Sequence, residues 1–456
     1  MKKIALKDIA EYCGSQTALD GEISKISTDS RDIDENTLFI ALVGERFDAH
    51  DFVQDVLNKG AKAVVCSKKV CDDERVIYVE DTGKALLDIA HGYRKTFEIP
   101  FIGLTGSVGK TTSKGMIYAV VNKKFNAMRT AGNLNNEIGV PKTLFTLEEW
   151  HEAAVIEMGM NHFEEISRLS KAVEPEIAVI TNVGTAHIEN LGSREGILKA
   201  KLEILDGMAM GSTLIINGDN DMLSTVDISD YDVVRFGIDG ENLDMKAVDI
   251  KADEKGSTFK ALFNDETAEV FVPAVGVHNV YNALCAMCVG KKLGFTLQEA
   301  ADGVADFEAE GMRQKITNAG GAVFIEDCYN ANPDSMIASL DALATIKKTR
   351  SFAVLGDMLE LGDFSEEAHK KVGEKAAQTG CDFVLTFGKL SENIAKAAAE
   401  KGCNAKSFDD KEKIAEFIYE NLKSDDTLLF KGSRGMKMEE IFLSVYKKLG
   451  CDSDNA

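Results

Sequence analysis

The amino-acid sequence predicts an α/β protein divided into three domains, and three observations carry that expectation. The chain has 456 residues, too many for one hydrophobic core at roughly 150 residues per domain. Short apolar runs alternate with longer helical patterns over most of it, the order of strands joined by crossover helices in a parallel sheet. One such run, Ile102-Gly103-Leu104-Thr105, ends in Gly106-Ser107-Val108-Gly109-Lys110-Thr111-Thr112 and then opens a helical pattern through Val121, the grammar of a phosphate-binding loop.

Composition narrows the function. Hydrophobic residues at 45% suffice for globular cores, whereas a formal net charge of −23 excludes a nucleic-acid partner, because a phosphate backbone rewards clustered Lys and Arg. A single nucleotide remains compatible, since one loop sets its local field. Nine cysteines at irregular positions predict free thiols in a reducing cytoplasm, and Cys285-Ala286-Met287-Cys288 lies in an apolar helical run that reads as core. The start, Met1-Lys2-Lys3-Ile4-Ala5-Leu6, imitates a secretion signal, but Asp8 and Glu11 interrupt it. No signal peptide, no membrane insertion and a monomeric cytoplasmic protein are expected.

Residues 1–97 read as a small α/β unit, with an opening amphipathic helix and strands at 37–42, 63–66 and 76–79. Two polar clusters stand at strand ends: Thr28-Asp29-Ser30-Arg31, and residues 44–51 with Glu45, Arg46, Asp48 and His50. They offer donors, guanidinium groups and an imidazole to a substrate. Taken alone they read as solvated turns.

From 98 to 312 the alternation of strands and helices predicts a doubly wound parallel sheet. Three strands end in chemistry: the first in the phosphate loop, 153–156 in Glu157, and 178–183 in Gly184-Thr185-Ala186-His187. Ligands of open α/β sheets bind beyond the carboxyl ends of strands, so these residues can meet in one crevice. In the loop, glycines free backbone N–H groups for phosphate oxygens, Lys110 adds a mobile charge, and the Thr111 hydroxyl can hold magnesium. Its spacing, Gly-x-x-Gly-Lys-Thr, is one turn shorter than the usual form, and an ordinary glycine-rich turn is the plain alternative. The pattern over 193–208 predicts a helix with Ile197, Ile204, Leu205 and Met208 on one apolar face and Lys201 within that stripe. Such a lysine must either snorkel to water or be used: burial favours the neutral amine, which can capture carbon dioxide as a carbamate and so become an oxygen ligand for a hard cation. The run 132–141, with Asn133, Asn135 and Asn136, is either a capped turn or a polar clamp on a substrate. Asn279 and Asn282, three apart at the start of an apolar helix, can face one way toward a base or sugar.

Gly311-Met312-Arg313 marks a hinge, after which 313–456 repeats the α/β pattern with strands at 322–326, 352–356, 383–387 and 427–430. Its polar strand ends are Asp327-Cys328-Tyr329-Asn330-Ala331-Asn332-Pro333, Gly356-Asp357-Met358 and Lys431-Gly432-Ser433-Arg434-Gly435. The tail, 451–456, is polar and expected to fray.

Taken in order, the loop Thr105–Thr111, the Asn-Leu-Asn-Asn-Glu-Ile-Gly-Val-Pro run, Glu157-Met-Gly, Ala-His187, Ala-Lys201, His278-Asn279 and Tyr329-Asn-Ala-Asn-Pro resemble the Mur ligases over nearly the whole chain. The short loop spacing is that family's form. The resemblance implies an N-terminal domain (1–97) that binds a UDP-sugar, a central P-loop ATPase-like domain (98–312), and a C-terminal Rossmann-like domain (313–456) that receives a dipeptide. It gives the ATP phosphates to Lys110 and the loop from Gly106 to Thr112, one Mg2+ to Thr111 and Glu157, and a second to His187 and carbamylated Lys201. Asn279 and Asn282 would face adenine, Asp327 the ribose, and Arg313 the γ-phosphate after closure. Ser30, Arg31, Asp48 and His50 would lie near the UDP-sugar. Asn133, Asn135, Asn136, Tyr329, Asn330, Asn332, Lys431, Ser433 and Arg434 would meet the remaining substrate groups. Ala49, where the family often has Gly, departs from the pattern beside the nucleotide-sugar contacts. The implied activity is ATP-dependent joining of D-alanyl-D-alanine to UDP-N-acetylmuramoyl-tripeptide. Two rivals stay open: another ligase of the same fold adding one amino acid to a peptidoglycan precursor or glutamate to a folate, and a regulatory nucleotide-binding module without chemistry. The sequence lacks the Asp-Asn-Pro-Arg signature of the diamino-acid-adding member, and the regulator leaves Glu157, His187 and Lys201 without purpose.

Overall fold

A computed structural model describes residues 1–44 and 47–451; Glu45, Arg46 and the tail from Asp452 lie outside the described residues. The N-terminal strands Lys25–Ser27, Thr37–Ile40, Ala63–Cys66 and Val76–Tyr78 form a parallel sheet in sequence order. Its first strand and the small Ile4–Ala5/Glu22–Ile23 ladder escaped the sequence pattern because each is two or three residues long. Helix Thr82–Arg94, capped where Asp81 accepts from the N–H groups of Gly83 and Lys84, leads out of this unit.

The central sheet has nine strands, in the order Glu266–Val272, Gly256–Phe263, Met245–Asp253, Asp232–Gly237, Thr213–Asn217, Ile177–Ile180, Phe101–Thr105, Ala153–Glu157, Ala127–Arg129. The strand feeding the phosphate loop lies between the two other chemically loaded strands, all parallel, with Leu104 opposite Glu157 and Thr105 opposite Ile180. Their carboxyl ends therefore share one edge, and the order reverses there, which opens a crevice.

The far edge departs from the expected alternation. Met245–Asp253, Gly256–Phe263 and Glu266–Val272 form an antiparallel meander. Their inward residues, among them Phe259, Ala261, Val270 and Val272, pack under helices Val277–Lys292 and Leu297–Ala305, while the intervening residues remain outside that core. One covered face and one wet face suit hairpins rather than crossovers. The expected helix 193–208 is also shorter: Arg194–Leu202 is α-helical, and Glu203–Gly207 tightens to a 3₁₀ turn that seats Gly207 against the Ser170 backbone, leaving no room for a side chain.

Beyond Gly311, at φ +60°, six strands run in the order Lys315–Ala319, Ala322–Asp327, Thr427–Lys431, Ser351–Gly356, Phe383–Phe387, Asn404–Phe408. Lys315–Ala319 is antiparallel and the others parallel, with apolar clusters on both faces. The two edge strands, half-exposed and polar, lacked the apolar run that announces a strand. Among the described residues no helix is long and apolar enough to cross a membrane.

Candidate active site

The phosphate loop is shaped by what surrounds it. A side chain at Gly106 would meet the Thr181 hydroxyl at 1.9 Å, so only glycine fits, and Gly109 takes φ +81° to start helix Lys110–Val121. Asn182, at the end of the neighbouring strand, brackets the loop: its carbonyl accepts from Ser107 N, its Oδ1 from Val108 N, and its Nδ2 donates to Val108 O. Lys110 Nζ donates to Gly106 O at 2.8 Å.

Glu157 is almost fully buried and collects three donors. Thr111 Oγ1 lies 3.0 Å from its Oε2, Asn135 Nδ2 2.9 Å from its Oε1, and Lys114 Nζ 3.4 Å from its Oε2. Asn135 thus serves the carboxylate rather than standing free as a clamp. Asn136, by contrast, caps helix Gly139–Leu144 by accepting from Ile138 N and Gly139 N. Lys114 was missed in the sequence, where a lysine in the first turns of a helix reads as solvated.

His187, at φ +64°, lines the same cleft. Burial first, then the neighbouring Lys110 and Lys201 side chains, pushes its imidazole down to about 4, so it presents a neutral nitrogen near pH 7. Lys201 is 1% exposed and does not line the cavity. Burial first, then Lys110, holds its amine well below the ordinary lysine range. No hydrogen bond or ion pair reaches that amine among the described residues.

The cleft, about 380 Å³, is lined on its other side by residues of the C-terminal domain. Arg313 lies with its guanidinium 3.9 Å over the Tyr329 ring. Asp327 is gripped by Lys431 Nζ at 2.6 Å and Ser339 Oγ at 2.7 Å, while Asn332 caps helix Pro333–Ile346. Asn330 lines the cleft and its carbonyl also accepts from Lys431. Asn282 donates to Asn279 Oδ1, and Asn279 donates to Gln314 Oε1 and Val275 O. The two amides face one way as expected, but they already hold one another. A side cavity of about 70 Å³, bounded by Asn182, Asn217, Phe236, Tyr281 and Asn282, opens beside the loop. Asp334, unforeseen, spans the domains: its Oδ2 accepts from Thr185 N at 3.1 Å, next to the loop.

Ser30, Arg31, Asp48, His50, Ser433 and Arg434 stay outside this cleft. Ser30 and Arg31 sit on the N-terminal surface, with Arg31 paired to Asp29. His50 is buried and both ring nitrogens are engaged, Nδ1 with Asp48 Oδ1 at 2.6 Å and Nε2 accepting from Ser67 N at 2.9 Å; Asp48 also pairs with Lys68. Ser433 accepts from Leu359 N, and Arg434 pairs with Glu439. Asn133 lines the cleft, whose rim it shares with Asn136. A larger groove, about 1420 Å³, runs between the N-terminal and central domains past Leu42, Val43, Glu137 and Ile138.

Among the described residues no three His, Cys, Asp or Glu side chains gather into a ready metal nest. The oxygen pair Thr111–Glu157 nevertheless suits Mg2+, which takes one or two protein ligands and completes its shell with phosphate and water.

Models of three domains match the chain: the Mur ligase family catalytic domain at residues 22–94, the Mur ligase middle domain at 104–290, and the Mur ligase glutamate ligase domain at 312–434. The UDP-N-acetylmuramoyl-tripeptide--D-alanyl-D-alanine ligase of Bacillus subtilis (strain 168) is 38% identical, over 97% of this chain and 98% of the relative. A crystal structure of MurF from Acinetobacter baumannii superposes with a TM-score of 0.90 at 31% identity, covering 98% and 99% of the two chains. MurF ligase from Thermotoga maritima in complex with ADP gives 0.86 at 29%, covering 93% and 98%.

Proposed function

The chain belongs to the Mur ligase family, and from that membership and the geometry of the cleft we propose that it joins D-alanyl-D-alanine to UDP-N-acetylmuramoyl-tripeptide at the expense of ATP. The observation that carries the reading is the convergence of three strand ends, bearing the phosphate loop, Glu157 and His187, under a second domain that brings Arg313 and Asp327 to the same cleft. The work belongs to peptidoglycan precursor synthesis in the cytoplasm.

A carboxylate is a poor acyl donor, so its oxygen first attacks the γ-phosphorus of ATP, giving an acyl phosphate and ADP. The free amine of the dipeptide then attacks the acyl carbon, the amide forms, and inorganic phosphate leaves. Lys110 and the loop N–H groups stabilise the charge that spreads over the γ-phosphoryl oxygens. Asn182 occupies the Ser107 and Val108 N–H groups and so fixes the loop, leaving the N–H groups at the start of helix Lys110–Val121 for the phosphates. Arg313, two residues beyond Gly311, would supply a second cation at the γ-phosphate on closure of the domains. Asn279, Asn282 and the side cavity receive adenine, and Asp327 faces the ribose. Thr111 and Glu157 would hold one Mg2+ and His187 with Lys201 a second, and the bound ions would neutralise charge on the phosphates. Lys201 would take that role as a carbamate: burial favours its neutral amine, and uptake of carbon dioxide with loss of a proton leaves an anionic oxygen donor. The N-terminal unit and the groove behind it take the UDP-sugar, with Ser30 and Arg31 nearest, and Ser433 and Arg434 mark the dipeptide side. Covering by the C-terminal domain keeps water from hydrolysing the acyl phosphate.

Phosphate release tests the reading. It is expected only when ATP, the muramoyl tripeptide and D-alanyl-D-alanine are all present. Release with a single amino acid in place of the dipeptide, or with none of the acceptors, overturns it.

A further inference from the structure

Lys114 is wholly buried, yet nothing in the reaction uses it. It lies one helical turn beyond Thr111 on helix Lys110–Val121, so both side chains point at the same oxygen of Glu157. Three oxygens from three segments surround its amine: Glu157 Oε2 at 3.4 Å, Glu310 Oε2 at 3.5 Å and Gly132 O at 3.0 Å. Glu310 is the residue before the Gly311 hinge, and its other oxygen pairs with Arg129 at 2.8 Å. Gly132 opens the loop that delivers Asn135 to Glu157. Lys114, with this set of partners, joins the carboxylate at the catalytic edge to the segment that leads into the C-terminal domain.

We propose that Lys114 is a positioning residue that registers the Glu157 carboxylate against the interdomain hinge through Glu310, so that Glu157 takes its working geometry when the hinge does. A lysine serving only to neutralise Glu157 needs no second carboxylate on the hinge, and a lysine serving only to anchor the hinge needs no contact with Glu157. Removing a group that orients a metal-ligating carboxylate costs about 10–100-fold in metal affinity or activity. The inference rests on the reading of Glu157 as a magnesium ligand, and the test separates the two.

The experiment uses the full-length protein in three forms: wild type, Lys114→Met and Glu310→Gln. Binding of ADP is titrated calorimetrically across free Mg2+ concentrations, and kcat and the solution radius with ATP analogue plus muramoyl substrate are measured beside it. Lys114→Met is expected to raise the Mg2+ concentration for half-maximal ADP binding about tenfold. Glu310→Gln is expected to leave that value within about twofold, while lowering kcat about tenfold at unchanged KM for ATP and abolishing ligand-induced compaction. Wild-type Mg2+ dependence in a folded Lys114→Met protein overturns the hold on Glu157. Wild-type kcat and compaction in Glu310→Gln overturn the link to the hinge. Should Lys114→Met not fold, Glu310→Gln and Arg129→Gln decide, since both cut only the hinge arm. Absence of any Mg2+ effect on ADP binding to the wild type would instead sink the metal-ligand role of Glu157.

Discussion

Two lysines of the central domain are buried to the same degree and live in opposite circumstances. Lys114 has three oxygens around its amine, two of them carboxylate. Lys201 has none among the described residues and lies within reach of two other potential cations, Lys110 and His187. Burial alone therefore says nothing about what a lysine does. A paired amine holds its partners together, whereas burial without a partner favours the neutral form, in which an amine can react. The helix-face argument singles out Lys201 and passes over Lys114; their partners reveal the contrast between them.

The largest effect expected from this contrast is at Lys201. Lys201→Ala should lower turnover roughly 10²–10³-fold, the scale of losing one preorganised group at the site of developing charge. Formate or acetate in the vacated space should restore part of it, and small amines should not. Full activity in the mutant, or rescue by amines alone, would leave the carbamate without support. Lys110→Ala comes next, at about a hundredfold in turnover with the fold intact, because among the described residues this side chain donates only to the Gly106 carbonyl of its own loop. Circular dichroism on the same preparation separates lost chemistry from lost structure.

The domain contact made by Asp334 is smaller. Its carboxylate accepts from Thr185, whose segment leads into His187, so Asp334→Ala removes one charge-assisted bond between the domains. Roughly tenfold slower turnover is expected, with ADP affinity unchanged and a larger population of open molecules in solution scattering. Unaltered scattering with and without both nucleotide and muramoyl substrate would show that this contact does not govern closure.

How far the sequence anticipates such a site depends on whether a residue's role is local. The phosphate loop was legible because its glycines, lysine and threonine act within one short segment, and Glu157 and His187 because each follows an apolar strand. The edge meander and the strands Lys315–Ala319 and Asn404–Phe408 were not, since half-exposed strands carry no continuous apolar run. Asn135 shows the same limit inside the site: its spacing suggested a substrate clamp, but its partner, Glu157, comes from a strand 22 residues away. His50 looked like a free imidazole until Asp48 and Ser67 occupied both its nitrogens. Lys114, Asn182 and Asp334 are positioned by partners on other elements, and no spacing rule reports those.

The smallest expected effect is also the most direct test of the contrast between the two lysines. Lys201→Met keeps the length and apolar stem of the side chain and removes only the amine. In buffer free of bicarbonate and magnesium, that amine contributes nothing but its cost of burial, so the substitution should raise stability by about 1 kcal/mol. Lys114→Met, made under the same conditions, should lower it, because Glu157 and Glu310 are left facing each other without their shared cation. Adding bicarbonate and Mg2+ should then reverse the order for Lys201: a wild-type protein that binds carbon dioxide and metal gains stability by mass action, and the methionine variant cannot. Thermal unfolding midpoints in the two buffers read both signs. If Lys201→Met destabilises the protein in the absence of bicarbonate and metal, the amine has a partner in solution and is not the vacant group from which the carbamate is argued.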